Sequence, residues 1–209
     1  NAKVTSTMIH TWGEEVEVFP RTCTVVEEGG TFLSNYVCMK PTKMVQMYPT
    51  AYLKGEGAVA RFSGVVVAGT GSYVDTGSRA VLQAPNTSAE LVTRAITNGG
   101  TIISRGAVVA ECPKTKGHIE CRGLILKDGV MHAIPEIEGH VVDVELSHEA
   151  AVGKIARDEI EYLMARGLSE EEATATIIRG FLDIKIEGLP PALQKQIDAA
   201  IDSADNEGY

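Results

Sequence analysis

The stretch ARFSGVVVAGTGSYVDTGSRAVLQAP, Ala60–Pro85, decides the fold class. It holds two short runs rich in valine and hydroxyl-bearing residues, broken by Gly-Thr-Gly and closed by proline, the composition of strands joined by a turn. Its glycines resemble a nucleotide loop only superficially. No Gly-Lys-Ser/Thr ending follows and no helical pattern begins there, so a phosphate-binding role is set aside.

The same texture extends in both directions. KVTSTMIHTW from Lys3, EVEVFPRTCTVVEEGG from Glu15, AELVTRAITNGGTIISRGAVVAEC from Ala89 and HIECRGLILKDG from His118 are further β-type runs ending near glycine, asparagine or proline. Turn glycines at Gly30, Gly55, Gly77, Gly99 and Gly123 recur at intervals of 22 to 25 residues. A sandwich turns about every 8–12 residues, whereas a coil of stacked rungs with several strands per rung gives a longer period. Residues 1–147 are therefore expected to form a parallel β-helix core, with a β-sandwich as the rival arrangement.

After Glu149 the period changes. Val152, Ile155, Ala156, Ile160, Leu163 and Met164 fall at helical spacing and Gly167 supplies a stop. Ser169 with Glu172 forms a capping box that opens a second helix, and Pro191 opens a third, ALQKQIDAAIDSA. Residues 148–209 are thus expected to be a helical domain. Short helices cannot bury their apolar faces alone, so they pack on one another, on the β-body or on a partner.

Composition limits the function. The net charge is -9, and residues 145–209 carry 14 acidic and 6 basic side chains. Such a chain, with few aromatics, fits neither phosphate neutralisation nor base stacking, so nucleic acid is not an expected partner. No apolar run approaches the ~20 residues of a membrane span, and no export signal is present, which points to the cytoplasm. The chain opens at Asn1 without methionine and already in strand-like alternation, so sequence upstream is expected to be missing.

Four cysteines, Cys23, Cys38, Cys112 and Cys121, are too few for a disulfide scaffold of this length and are read as reduced thiols. ECPKTKGHIEC brings Cys112, His118 and Cys121 close in sequence, a weak metal signal without a Cys-x-x-Cys pair. His132 and His140 flank AIPEIEG and read as satisfied loop histidines. His148 and Glu149 stand at the strand-to-helix junction, where Glu149 suits a first helical turn.

The block LSHEAAVGKIARDEIEYLMARGLSEEEATATIIRGF, Leu146–Phe181, resembles the C-terminal block of the SufB/SufD family, scaffolds of the SUF iron–sulfur cluster assembly system. It has the histidine and acidic residue, then Y-L-x-x-R-G-L-S-E-E-x-A and Gly-Phe, in that order, and ECRGLILKDG with HAIPEIEG resembles the preceding segment. The resemblance implies a right-handed parallel β-helix, pairing with a second copy or a SufD-like paralogue, and a helical domain that binds the SufC ATPase. It implies a transient iron–sulfur cluster as cargo, sulfur donor proteins as partners, and leaves open a reduced flavin. Cys121 matches the scaffold cysteine, Glu149 the acidic residue and His148 its neighbour, together a sulfur-accepting and metal-holding set. Cys23 is a candidate sulfur relay. The H-E-A at His148–Ala150 makes the chain SufB-like. The role is that of a scaffold rather than an enzyme. The alternative from another class is a β-helix enzyme acting on polysaccharide, which would present aromatic platforms and paired acids; this chain has one Trp.

Overall fold

Residues 1–182 and Lys195 are described in a computed structural model of the chain, so the third expected helix lies outside the described residues. In chain order the strands are β1 (Lys3–His10), β2 (Glu17–Val18), β3 (Cys23–Val26), β4 (Thr31–Cys38), β5 (Met44–Met47), β6 (Thr50–Leu53) and β7 (Val59–Gly69). They continue with β8 (Tyr73–Leu82), β9 (Ser88–Asn98), β10 (Thr101–Ala110), β11 (Thr115–Leu126), β12 (Val130–Gly139) and β13 (Val144–Gly153). Two helices follow, α1 (Arg157–Met164) and α2 (Glu170–Leu182).

Each turn of chain contributes one strand to a six-stranded sheet, β1-β4-β7-β9-β11-β13, and either two short strands or one long strand to a seven-stranded sheet, with every named ladder parallel. The chain is a β-solenoid of about 5 turns, as the coil reading required, and not the rival sandwich. The period differs from the glycine spacing. Lys3 pairs with Thr31, Thr31 with Val59, Val59 with Ser88 and Thr115 with Val144, so rungs in the six-stranded sheet lie 28 or 29 residues apart. The recurrent glycines occupy different positions in successive rungs. Gly77 sits inside β8 where a Cβ would lie 2.1 Å from the Arg105 carbonyl oxygen, while Gly99 turns between β9 and β10 with φ +89°.

The inward faces of the two sheets form an apolar interior of two clusters that each run through successive rungs, one with Leu53, Leu82, Val108, Ile119 and Cys121 and one with Val45, Val66, Val74 and Ile102. A second apolar layer lies outside. Val37, Val65, Val67 and Ile96 face outward from the six-stranded sheet and are covered by Ile178 and Leu182 of α2. The helical segment therefore crosses back over β4, β7 and β9. Its helices do not depend on one another alone for burial.

The capping box forms as expected, with Ser169 N–H donating to Glu172 Oε2 at 2.7 Å and Glu172 N–H to Ser169 Oγ at 3.1 Å. Gly167 adopts φ +100° after α1. The helical expectation began too early, however. The strand β13 runs through Gly153 and α1 starts at Arg157, so His148, Glu149 and Val152 are strand residues. The apolar spacing from Val152 fits a helix, but parallel pairing with β11, from Thr115↔Val144 to Leu124↔Gly153, overrides it.

Candidate functional site

The alternation of β13 decides where each candidate side chain lies. Val144, Leu146 and His148 are half-buried while Glu145, Ser147 and Glu149 are exposed, the pattern of a strand with one face on the core. His148 pairs with Ile119, an interior residue, and Ala150 pairs with Cys121. Cys121 and His148 thus share the inner face, one same-face step apart. Glu149 pairs with Glu120 and faces outward. The spacing of Cys121 and Glu149 matches a rung of 28, but the rung here is 29, and a slip of one residue turns a side chain to the opposite face. Glu149 is also not at a helix N-terminus, so the expected dipole contact does not arise.

Cys121 is 1% exposed and accepts a long hydrogen bond from Ser104 Oγ at 3.8 Å. Burial pushes its thiol pKa up, and the hydroxyl of Ser104 offsets part of that shift. The thiol is therefore protonated at neutral pH. Beside it, a Cβ on Gly123 would meet Met131 Sδ at 2.1 Å, so a larger residue there would have to displace the methionine side chain. The Nε2 of His148 is buried with no hydrogen-bond partner, a state that costs free energy unless something fills it.

On the outer face a chain of charges runs across three strands. Arg94 Nη2 lies 2.7 Å from Glu120 Oε1, Arg122 Nε lies 2.8 Å from the same oxygen, and Arg122 Nη2 donates to Glu149 Oε1 at 3.0 Å. The sequence reading missed Glu120, Arg122, Arg94 and Ser104. The first three carry no motif, and only the rung register puts them beside Glu149. Next to them, His118 Nδ1 meets Ser147 Oγ at 2.8 Å above an open groove of about 660 Å³ lined by Arg61, Glu90, Lys116 and Glu145.

The remaining candidates are dispersed. Cys23 is exposed on β3, in the seven-stranded sheet, rungs away from Cys121. His118 faces outward while Cys121 faces inward, so the Cys112–His118–Cys121 grouping does not assemble, and no cluster of three metal-ligating side chains occurs among the described residues. His140 pairs with Glu138 at 3.0 Å. Among the described residues β12 and β13 end their sheets with one neighbour each, and Val130, Ile137, Val142 and Val152 are exposed on or between them. No helix among the described residues is long and apolar enough to cross a membrane.

The family model described as SUF system FeS cluster assembly, SufBD core domain, matches residues 1–181. An iron-sulfur cluster assembly SufBD family protein of Archaeoglobus fulgidus is 53% identical over 208 residues, 99% of this chain and 56% of the relative. One from Methanothermobacter thermautotrophicus strain Winter is 46% identical over 96% of this chain and 50% of its own length, and one from Pyrococcus horikoshii is 36% identical over 100% and 47%. The chain spans about half the length of the curated relatives it matches. These relations do not favour a carbohydrate-active enzyme. With a β-solenoid, an inward cysteine beside an inward histidine on the end rungs, and a family match over residues 1–181, the chain belongs to the SufBD family of iron–sulfur cluster assembly proteins.

Proposed function

We propose that the chain is a SufB-like scaffold, not itself an enzyme, on which iron and sulfide are joined at the open end of the solenoid. The observation that carries this reading is the division of ligand types across one edge strand. A soft thiol and an unpartnered imidazole nitrogen, Cys121 and His148, line the inner face, and the hard carboxylate of Glu149 lies one residue away on the outer face. Thiolates and imidazole hold iron–sulfur clusters, while carboxylates suit iron in transit.

The Cys121 thiolate attacks the outer sulfur of a donor persulfide, forming a Cys121 persulfide and releasing the donor as its thiolate; a two-electron reductant such as a reduced flavin then releases that sulfur as sulfide and regenerates the thiolate. Only the ionised form reacts, and burial keeps Cys121 protonated, so the strand that covers it must open before sulfur is accepted. Pairing with a second copy or a SufD-like paralogue uses the free edges of β12 and β13, and SufC engages the exposed surface of the helical segment in residues 148–209, its ATP-driven closure supplying the work of opening. Cys23, exposed on the opposite sheet, is a candidate entry point for sulfur. The setting is the cytoplasm, where thiols stay reduced.

The test is anaerobic assembly with iron, sulfide and the ATPase partner. Cys121→Ser is expected to abolish acid-labile sulfide retention while costing about 1–3 kcal/mol of stability, because Ser104 remains as a partner for the new hydroxyl. A normal cluster yield in that variant, with a folded chain, overturns the reading.

A further inference from the structure

At the β1 end of the six-stranded sheet stands a second thiol–imidazole pair. His10 closes β1 directly opposite Cys38 at the end of β4, and Met8, two residues earlier, packs on the interior cluster that holds Cys38, so His10 shares that inner face. Cys38 is 2% exposed, and its Sγ donates a long hydrogen bond, 3.9 Å, to the Lys40 carbonyl oxygen. Around it His10 Nδ1, Trp12 Nε1 and the hydroxyl of Tyr36, itself 5% exposed, are buried without a hydrogen-bond partner. The rings are packed together, with centroids 4.7 Å apart for His10 and Trp12 and 5.3 Å for His10 and Tyr36. Orphaned polar atoms in a packed interior cost free energy, and three in one cluster point to an occupant. The donors identify its class. Thiolate and imidazole are joined in this cluster by the thioethers of Met8 and Met47, a soft set, and no third His, Cys, Asp or Glu completes a metal-holding group among the described residues. A divalent ion would therefore carry uncompensated charge into an apolar interior, whereas a monovalent ion on one thiolate is neutral. With imidazole and thiolate bonds of roughly 2.0 and 2.3 Å, a linear bridge spans about 4.3 Å. Neighbouring strands lie ~4.8 Å apart, which suits it.

We propose that His10 Nδ1 and the Cys38 thiolate form a two-coordinate site for a soft monovalent cation of the copper(I) type, with Tyr36 and Trp12 packed around it. On binding, Cys38 loses its proton to solvent and its sulfur bonds the ion. The Tyr36 hydroxyl then donates to the thiolate and gains the partner it lacks. Because the ion ties β1 to β4, it fastens the first rung of the solenoid. The site stands apart from the assembly reading of Cys121, which lies on β11, three strands further along the sheet from β4.

Silver(I) added to the full chain in chloride-free buffer tests this, with copper(I) held as its acetonitrile complex under nitrogen as the second probe. Trp12 is the one tryptophan of the chain, so its fluorescence reads this cluster. Cys23→Ser and Cys112→Ser form a common background that removes the two less buried thiols. One equivalent of silver(I) is expected to quench Trp12 and to raise the melting temperature. Cys38→Ala and His10→Gln should each raise the silver concentration needed for quenching by more than roughly tenfold, whereas Cys121→Ser should not. His10 is only partly buried, so its variant decides the matter if the Cys38→Ala chain does not fold. Quenching that survives in the folded variants overturns the site. So does a parent chain that silver(I) and copper(I) leave unchanged, or one that zinc(II) quenches equally well.

Discussion

Three buried weak acids and one half-buried one set how this protein meets alkaline solution. Burial holds the thiols of Cys38 and Cys121 and the phenols of Tyr36 and Tyr48 in their neutral forms, pushing Tyr48 up to about 12. Each folded-state pKa lies above its unfolded value, so the folded chain retains protons that the unfolded chain releases. Their contribution to stability is level below the unfolded thiol value of roughly 8.5 and falls as pH rises above it, first through the cysteines and then through the tyrosines. Urea midpoints at neutral pH and at steps through the alkaline range check this; a midpoint that stays level to pH ~10 means the thiols titrate freely in the native state. At this scale the sequence offered Cys121, His148 and Glu149 as candidates through ECRG and SHEA, but not the face of the strand on which each one lies. That depends on whether a rung holds 28 or 29 residues, and the Lys127–Gly129 turn, with Lys127 at φ +51°, belongs to the rung of 29 that separates β11 from β13.

Among the elements, α1 and α2 divide their tasks. The helix α2 buries Ala173, Ile178 and Leu182 against the outer sheet face, whereas α1 buries no residue and leaves Tyr162 59% exposed, with Arg166 both donating to its hydroxyl and stacked 4.9 Å from its ring. A rigid, exposed aromatic is the kind of side chain that anchors a partner. Tyr162→Ala is expected to weaken SufC binding by roughly 1–3 kcal/mol in calorimetry while leaving the melting temperature nearly unchanged. Undiminished affinity would count against α1 as the proposed ATPase contact. Removing the whole helical segment would be a poorer test, since it uncovers Val37, Val65, Val67 and Ile96. The capping box at Ser169 was readable because it is a local rule, four residues long. The end of β13 was not, because its partner lies a full rung away and local spacing from Val152 suits either state.

For the whole molecule, the period was the feature misjudged. Glycines marked a repeat without marking the same corner each time, so 22–25 stood in for 28–29, although the solenoid itself followed from the even recurrence. Among the described residues β12 and β13 each have one strand neighbour, and Ile137 and Val152 are exposed there. Edge pairing about a twofold axis would satisfy both. A homodimer is accordingly expected in sedimentation at tens of micromolar when no paralogue is present, and Val152→Lys should shift it to monomer. A monomer throughout that range argues against this end as the contact.

The connection from β13 into α1 gives the terminal rung a mechanical character. Among the described residues β13 is bonded on one side only, so a pull entering it at Gly153 would part Leu124↔Gly153 first, then Gly123↔Val152, Arg122↔Ala151 and Cys121↔Ala150. The pair that carries the cysteine is the fourth from that end, while Val144 and Leu146 rest on the core at the other. The register gives the terminal rung the layout of a zipper with its tab at Gly153.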